Sequence, residues 1–126
     1  MPAYNVAQQY QEQAVNTMSR GELLVKLFEA VLKNIKYASI LLKQENYEQA
    51  EIYLNKSGRI FNYLCQSLDR KYSISADLNN IYRFLNQELI RANIRRDAEI
   101  LDKILPLVQD LHDTWVQADK LSHMQR

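Results

Sequence analysis

The stretch that decides the fold is SRGELLVKLFEAVLKNIKYASILL, residues 19–42. Its apolar residues recur at steps of three and four, the spacing that places side chains on one face of an α-helix. Ser19 and Glu22 form the capping-box pattern that starts a helix. The stretch therefore predicts an amphipathic helix over about 20–43. Its apolar stripe consists of Leu24, Leu27, Phe28, Val31, Ile35, Ala38 and Leu42.

The rest of the chain repeats this pattern three times. Stripes with the same spacing predict further helices over about 47–70, 77–93 and 97–121. Asn93 suits the end of the third helix, because asparagine tolerates the left-handed backbone that often terminates helices. Asp97 is the residue type that caps a helix start, and it stands at the start of the fourth.

The number of glycines and prolines separates the possible fold classes. Two of each among 126 residues are too few for the many turns of an all-β domain. Amphipathic helices with short connections pack side by side in alternating directions. The sequence therefore predicts one all-α domain, 1–126, an antiparallel up-down four-helix bundle with a mobile N-terminal arm or short helix over 1–16. Gly58 lies inside the second helix, at a cost of roughly 1 kcal/mol relative to Ala unless close packing requires it.

Charge and cysteine content limit the partners and the compartment. The net charge of +1 gives no electrostatic argument for binding nucleic acid or an anionic membrane. The single cysteine, Cys65, cannot form an intramolecular disulfide, which fits the cytoplasm. The N-terminal residues lack the apolar core of a signal peptide, and no stretch approaches 18 apolar residues. We therefore expect a cytoplasmic protein without membrane insertion.

Residues that carry catalysis are scarce in this sequence. There is no glycine-rich phosphate loop and no Ser/His/Asp grouping, so we expect no enzyme and no cofactor. His112 and His123 do not stand at metal-ligand spacing with acidic residues, so we expect no metal site. The alternative function is a histidine phosphotransfer signalling bundle that uses one of these histidines. The simpler interpretation of His112 is a boundary residue beside the core.

Several apolar side chains lie off the core stripes. Val25 and Leu32 do so on the first helix, and Ile52 and Tyr63 do so on the second. Ile52 and Tyr63 are eleven residues apart, about three helical turns, so they lie on one line. Such residues favour grooves that accept the apolar side chains of a partner helix or extended peptide. The alternative is ordinary surface exposure, which is common for single hydrophobic residues.

Several short motifs follow one another along the chain in a characteristic order. Their residues are Tyr10, Val15, Thr17, Ser19, Glu22, Leu23, Leu27, Phe28, Tyr82, Leu89, Ala92, Asn93, Asp97 and Trp115. This order resembles the FliS family, the flagellar export chaperones that bind flagellin, and the resemblance covers nearly the whole chain. The sequence departs from the family pattern at Arg20, where the family has proline, and at Glu29-Ala30, where it has Asp-Gly.

The resemblance implies a function without catalysis or a cofactor. It implies a cytosolic chaperone that binds the disordered C-terminal segment of flagellin in apolar grooves, as a monomer or weak dimer. Such binding would prevent premature polymerisation and keep flagellin competent for type III export, with the export machinery as a further partner. The resemblance also suggests that the arm, here Tyr4 to Tyr10, covers part of the binding surface in the free protein.

The candidate partner-binding residues come from the off-stripe positions, the tyrosines and the matched motifs. Tyr82 is expected to line either the core or a groove. Asn93 either ends the third helix or holds a peptide backbone beside a groove. A self-associating structural bundle without a client remains a third possibility. The full set of candidates is Tyr10, Val25, Phe28, Leu32, Ile52, Tyr63, Tyr82, Leu89 and Asn93.

Overall fold

Four helices make up residues 20–124, the part of the chain that the computed structural model describes. They are α1 (Arg20–Lys43), α2 (Tyr47–Gln66), α3 (Ile74–Arg95) and α4 (Ala98–Met124). The predicted arm over 1–16 and the candidate Tyr10 lie outside the described residues.

The four helices form a closed ring of neighbours. α1 packs against α2 and α4, and α3 packs against the same two helices. The turns 44–46 and 96–97 are too short for anything except a reversal of direction between adjacent helices. The prediction of an all-α, up-down four-helix bundle is therefore confirmed.

Three aromatic side chains stand at the centre of the core. Phe28, Phe61 and Tyr82 come from three different helices, and each is 0–1% exposed. The ring centroid of Tyr82 lies 6.1 Å from that of Phe28 and 6.3 Å from that of Phe61. Tilted rings at this separation interact favourably beyond the burial of their apolar area. The aliphatic stripes of all four helices pack around this centre.

Four helix ends differ from the prediction by two residues or more. α2 ends at Gln66 instead of about 70, and the Ser67 hydroxyl just beyond this end donates to the Leu64 carbonyl oxygen at 3.0 Å. α3 begins at Ile74 instead of about 77 and continues through Asn93 to Arg95, and α4 ends at Met124 instead of about 121. The left-handed residue that ends α3 is Arg96, with φ 53°, so Asn93 does not terminate the helix.

The start of α4 follows the prediction. The Asp97 carboxylate accepts a hydrogen bond of 2.9 Å from the Glu99 backbone N–H, which satisfies one of the free donors of the first turn. The capping role predicted for Asp97 is confirmed. α4 then continues through Pro106 without ending there.

Candidate functional site

An apolar pocket of about 250 Å³ lies at the end of the bundle where α1 begins. α2 ends there and α3 starts there, and the connection 67–73 passes along one side. Trp115 of α4 and Tyr82 of α3 also line it. We call this space the end pocket. Its aliphatic walls are Leu23, Leu24, Leu27, Leu64, Leu68, Ile74 and Leu78.

The Trp115 indole lies behind the wall of the end pocket. Its Nε1 atom is buried, and it has no hydrogen-bond acceptor within bonding geometry among the described residues. The nitrogen is closed off from the pocket, so the surface that an occupant meets is mainly aliphatic. The pocket therefore has the mostly apolar walls of a small binding site.

The phenol of Tyr82 is the second polar group on this wall. Burial raises the pKa of Tyr82 to about 12, because the charged phenolate would lose its contact with water. The neighbouring Trp115 side chain lowers the pKa of Tyr82 by a smaller amount. Its indole N–H points toward the phenol without reaching hydrogen-bond geometry. The Tyr82 hydroxyl is therefore neutral at physiological pH.

A second concave surface of about 400 Å³ runs between α2 and α3. The buried side chains of Leu54 and Leu89 contribute to its apolar part. Four asparagines line it, and we call it the amide groove. Two come from α2 and two from α3, namely Asn55, Asn62, Asn86 and Asn93.

Gly58 lies within the amide groove and opposite Asn86. A Cβ atom at Gly58 would stand 3.0 Å from the Asn86 side-chain oxygen. Asn86 can therefore lie against α2, where its Nδ2 donates to the Asn62 side-chain oxygen at 3.3 Å. This close approach accounts for a glycine in the middle of a helix.

Two further grooves carry charged groups on their rims. The groove between α3 and α4, about 340 Å³, includes the half-exposed Phe84. Its rim carboxylates pair with its rim cations, at 2.7 Å for Glu88–Arg91 and 3.5 Å for Glu99–Lys103. The groove beside α1 and α4 includes Lys33, Lys36, Tyr37 and His112.

Four of the candidate binding residues are core residues in the structure. Phe28 is 0% exposed, Tyr82 1%, Leu89 2% and Leu32 7%. The bundle covers most of these side chains, so packing is their main role; Tyr82 and Leu89 also line the end pocket and the amide groove, and their contact with a partner stays a prediction. Leu32 lies off the predicted stripe but is buried, because α1 has two neighbouring helices and therefore a wide buried arc.

The other candidates lie at or near the surface. Tyr63 is 48% exposed and lines the end pocket, as the buried Tyr82 does. Asn93 is half-buried and lines the amide groove beside Leu89. Ile52 is 45% exposed and Val25 is half-buried, and neither lines the end pocket or the amide groove.

Sequence reasoning missed most of both sites. Trp115 carried the family resemblance but was not a candidate, because nothing in the sequence shows that its indole N–H lacks an acceptor. Asn55 and Asn62 are seven residues apart, as are Asn86 and Asn93. That spacing, about two helical turns, was a readable signal for a row of amides on each helix.

The two histidines lie among carboxylates. His112 Nδ1 is 3.0 Å from Asp113, and its Nε2 is 3.8 Å from Glu29. His123 Nε2 is 3.4 Å from Glu22 of α1 and close to Asp119. Phosphorylation would add negative charge beside these groups, so the geometry disfavours the phosphotransfer alternative.

Other reactive groups offer no catalytic arrangement. Burial raises the pKa of the Cys65 thiol, which lowers its thiolate fraction and its nucleophilicity. Among residues 20–124, no group of three or more His, Cys, Asp or Glu side chains is placed to hold a metal ion. Within the same range, every helix is too short or too polar to cross a membrane.

Comparisons with known proteins identify the family. The family model described as flagellar protein FliS matches residues 3–122. The flagellar secretion chaperone FliS of Bacillus subtilis (strain 168) is 32% identical over 109 residues, which cover 86% of this chain and 82% of that protein. The Escherichia coli (strain K12) protein of the same name is 29% identical over 110 residues, covering 85% and 81%.

A solved structure supports the fold. A crystal structure of a flagellar chaperone from bacteria superposes with a TM-score of 0.76 at 20% identity, covering 94% of this chain and 98% of that one. The relatives are chaperones, which confirms the prediction that the chain is not an enzyme. The motif resemblance is likewise confirmed, and the protein belongs to the FliS family of flagellar secretion chaperones.

Proposed function

We propose that the client of this flagellar export chaperone is flagellin, and that the protein binds the disordered C-terminal segment of flagellin in the cytosol. Binding would prevent premature polymerisation and keep flagellin competent for type III export. The observation that supports this proposal best is the end pocket, with its leucine walls.

The end pocket can accept an apolar side chain of flagellin. Burial of such a side chain contributes roughly 1.5–3 kcal/mol, which is the main source of affinity in this proposal. Tyr63, half-exposed at the rim, would be covered at the same time.

The cost of ordering a disordered segment limits the affinity. A segment that folds on binding loses several kcal/mol of conformational entropy. That cost keeps the complex releasable, which an export chaperone requires when it delivers its client to the export machinery. A monomer or weak dimer is sufficient for this role.

The N-terminal arm is proposed to compete with flagellin. Arg20, the first residue of α1, lines the end pocket, and the arm precedes it in the sequence. Tyr4 to Tyr10 would cover part of the pocket in the free protein and leave when flagellin binds. Ile52 and Val25 stay candidate contacts outside the two sites.

Calorimetry with a synthetic peptide of the flagellin C-terminal segment tests the proposal. We expect binding at micromolar concentration and a gain of helicity by circular dichroism. Deletion of residues 1–12 is expected to tighten binding or leave it unchanged. The absence of both heat and added helicity would contradict the proposed client.

Two tyrosines of similar exposure provide a matched comparison for the site. Tyr63→Ala removes a residue of the end pocket, whereas Tyr37→Ala removes a 43% exposed tyrosine elsewhere on the bundle. We expect at least a tenfold loss of peptide affinity for the first variant, about 1.4 kcal/mol, and less than a twofold loss for the second. Equal losses would place the binding site elsewhere.

A further inference from the structure

We propose that the outer face of α1 and α2 binds the surface of an anionic lipid bilayer, so that the protein lies on the headgroups without crossing the membrane. Each of the two helices contributes one lysine, one tyrosine and one exposed isoleucine to this surface, which we call the α1–α2 face. The inference goes beyond the proposed function and does not depend on the identity of the client. The residues of the face are Lys33, Tyr37, Ile40, Ile52, Tyr53 and Lys56.

A row of cations and rings crosses the seam between the two helices. Lys33 Nζ lies 5.8 Å from the centroid of the Tyr37 ring, and Lys56 Nζ lies 5.3 Å from that of the Tyr53 ring. The two rings meet edge to face, with 5.5 Å between their centroids and 62° between their planes. The row therefore holds both lysines at the line where α1 and α2 meet.

The two tyrosines also decide the shape of this face. A partner helix or an extended peptide requires an open groove that accepts its side chains. Tyr37 and Tyr53 instead lie against each other across the seam, so their rings occupy the space that such a groove would need. A bilayer needs no groove, because it is bound by a broad surface that presents cations and apolar side chains together.

The positive charge of this face is not neutralised within the bundle. Among residues 20–124, no carboxylate forms an ion pair with Lys33, Lys56 or Arg59, the next cation along α2. By contrast, Lys26 pairs with a carboxylate of α1, and Lys43 pairs with one of α4. Unpaired cations beside a membrane are attracted by anionic lipids.

The net charge of the chain conceals an uneven distribution of charge. α1 carries five lysines or arginines and two carboxylates, whereas α4 carries two lysines and five carboxylates. α4 stands across the ring of helices from α2. An anionic surface therefore attracts the bundle with the α1–α2 face toward it and repels the side of α4. The net charge of +1 cannot indicate such a partner, because the opposite charges of α1 and α4 cancel in it.

Two exposed isoleucines add apolar contacts to the cations. Ile40 is 51% exposed and Ile52 is 45% exposed. Ile40 follows Tyr37 by three residues and Ile52 precedes Lys56 by four, so helical spacing places each beside its neighbour. Apolar side chains next to cations enter the boundary between headgroups and acyl chains, where tyrosine is also favoured. Glu48, one turn before Ile52, marks where the face ends.

Sedimentation with lipid vesicles tests the inference directly. The two probes are vesicles of phosphatidylcholine alone and vesicles of an equimolar mixture of phosphatidylcholine and phosphatidylglycerol. We expect at least tenfold more protein on the mixed vesicles at low salt. The difference should disappear at about 1 M salt, where the Debye length is only about 3 Å. Equal binding to both kinds of vesicle, or to neither, would overturn the inference.

Charge reversal shows whether the α1–α2 face is the part that binds. The variant Lys33→Glu/Lys56→Glu is expected to lose at least tenfold in affinity for the mixed vesicles. Its control, Lys103→Glu/Lys120→Glu, changes two exposed lysines of α4 and alters the net charge by the same amount. We expect the control to bind within twofold of the wild type. Equal losses would mean that total charge decides binding, which contradicts a specific face.

Removal of apolar contacts tests the orientation on the membrane. Ile40→Ser/Ile52→Ser is expected to lower vesicle affinity at least threefold while the salt dependence stays the same. Ile90→Ser/Ile94→Ser is the matched control on α3, where these isoleucines are 54% and 76% exposed. We expect no loss for the control. The same vesicle affinity for both variants would overturn the proposed orientation.

Competition with an oligonucleotide separates a lipid surface from another polyanion. Lysines beside tyrosines are also a pattern that binds single-stranded RNA. We expect oligouridylate at an equal phosphate concentration to leave the protein on the mixed vesicles. If it displaces the protein, and if Lys33→Glu/Lys56→Glu abolishes oligouridylate binding, the face recognises RNA and the lipid inference is wrong.

Calorimetry with the flagellin peptide keeps this inference separate from the proposed function. Neither Lys33 nor Lys56 lines the end pocket, so we expect the Lys33→Glu/Lys56→Glu variant to bind the peptide as the wild type does. A parallel loss of peptide and vesicle binding would mean that the variant is misfolded or that both partners share one site, which contradicts a distinct lipid face; the urea midpoint distinguishes these two causes. A wild type that binds mixed vesicles but not the peptide would contradict the proposed client and support the lipid face.

Discussion

The two ends of the bundle are stabilised by different interactions. At the end with the turns 44–46 and 96–97, polar groups pair with one another. Asp102 accepts a hydrogen bond of 2.7 Å from Ser39 and forms an ion pair of 2.9 Å with Lys43. The guanidinium of Arg96 stacks 4.3 Å from the centroid of the Tyr47 ring. We call this the turn end.

The opposite end holds the end pocket and leaves interactions unmade. Its walls are mainly leucines, and the Trp115 N–H has no acceptor among residues 20–124. One end therefore fixes the helices relative to one another, whereas the other end keeps an open apolar pocket. The unused apolar surface is tolerable because the turn end and the core stabilise the fold.

The largest expected effect comes from shortening one leucine to alanine at each end of the bundle. Leu101→Ala, at a fully buried position near Asp102, should cost about 3 kcal/mol, because it creates a cavity in a packed core. Leu24→Ala, in the wall of the existing pocket, should cost about 1 kcal/mol. Urea denaturation measures both losses, and equal values would contradict the distinction.

A smaller effect involves the pH dependence of stability at the end pocket. The pKa of Tyr82 is raised to about 12 in the folded protein, against an ordinary value of 10. Between pH 10 and 12 the unfolded chain loses this proton and the folded one keeps it, so stability falls as pH rises. We expect the urea midpoint of the wild type to fall more steeply over this range than that of Tyr82→Phe. Parallel curves would show that Tyr82 is not shielded from water.

The smallest effect concerns the two left-handed residues of the turn end. Glu45 has φ 60° and Arg96 has φ 53°, a conformation in which glycine is less strained. We expect Glu45→Gly to stabilise the fold by about 0.5 kcal/mol. Arg96→Gly should gain no stability, because it also loses a cation–π contact of roughly 0.5–1 kcal/mol. Equal shifts in the thermal midpoint would mean that the Tyr47 contact contributes nothing.

Local patterns were sufficient to predict the helices and most of the core. The stripe of α1 and the Asp97 cap depend on residues within one or two turns, which the sequence displays directly. The end of α3 was not predictable from Asn93. Arg96 takes the left-handed conformation there while its side chain stacks on Tyr47, from a different part of the chain.

The candidate site was harder to predict because it depends on which helices are neighbours. The positions of Tyr63 and Ile52 around the axis of their helix predicted correctly that both are exposed. The same reasoning predicted wrongly that Leu32 lies outside the core, because its burial depends on two neighbouring helices. The amide groove requires the register of α2 against α3, which brings Asn62 opposite Asn86. Residues that are close together in the sequence do not reveal how one helix is aligned against another.

The contact of α1 with α4 has a practical consequence for handling the protein. His123 near the end of α4 approaches Glu22 at the start of α1, so the described segment begins and finishes on the same side of the bundle as the end pocket. A dye or surface tether attached at either place would lie beside the end pocket, which is the proposed client site. Attachment at the 44–46 turn would keep the label at the far side of the molecule.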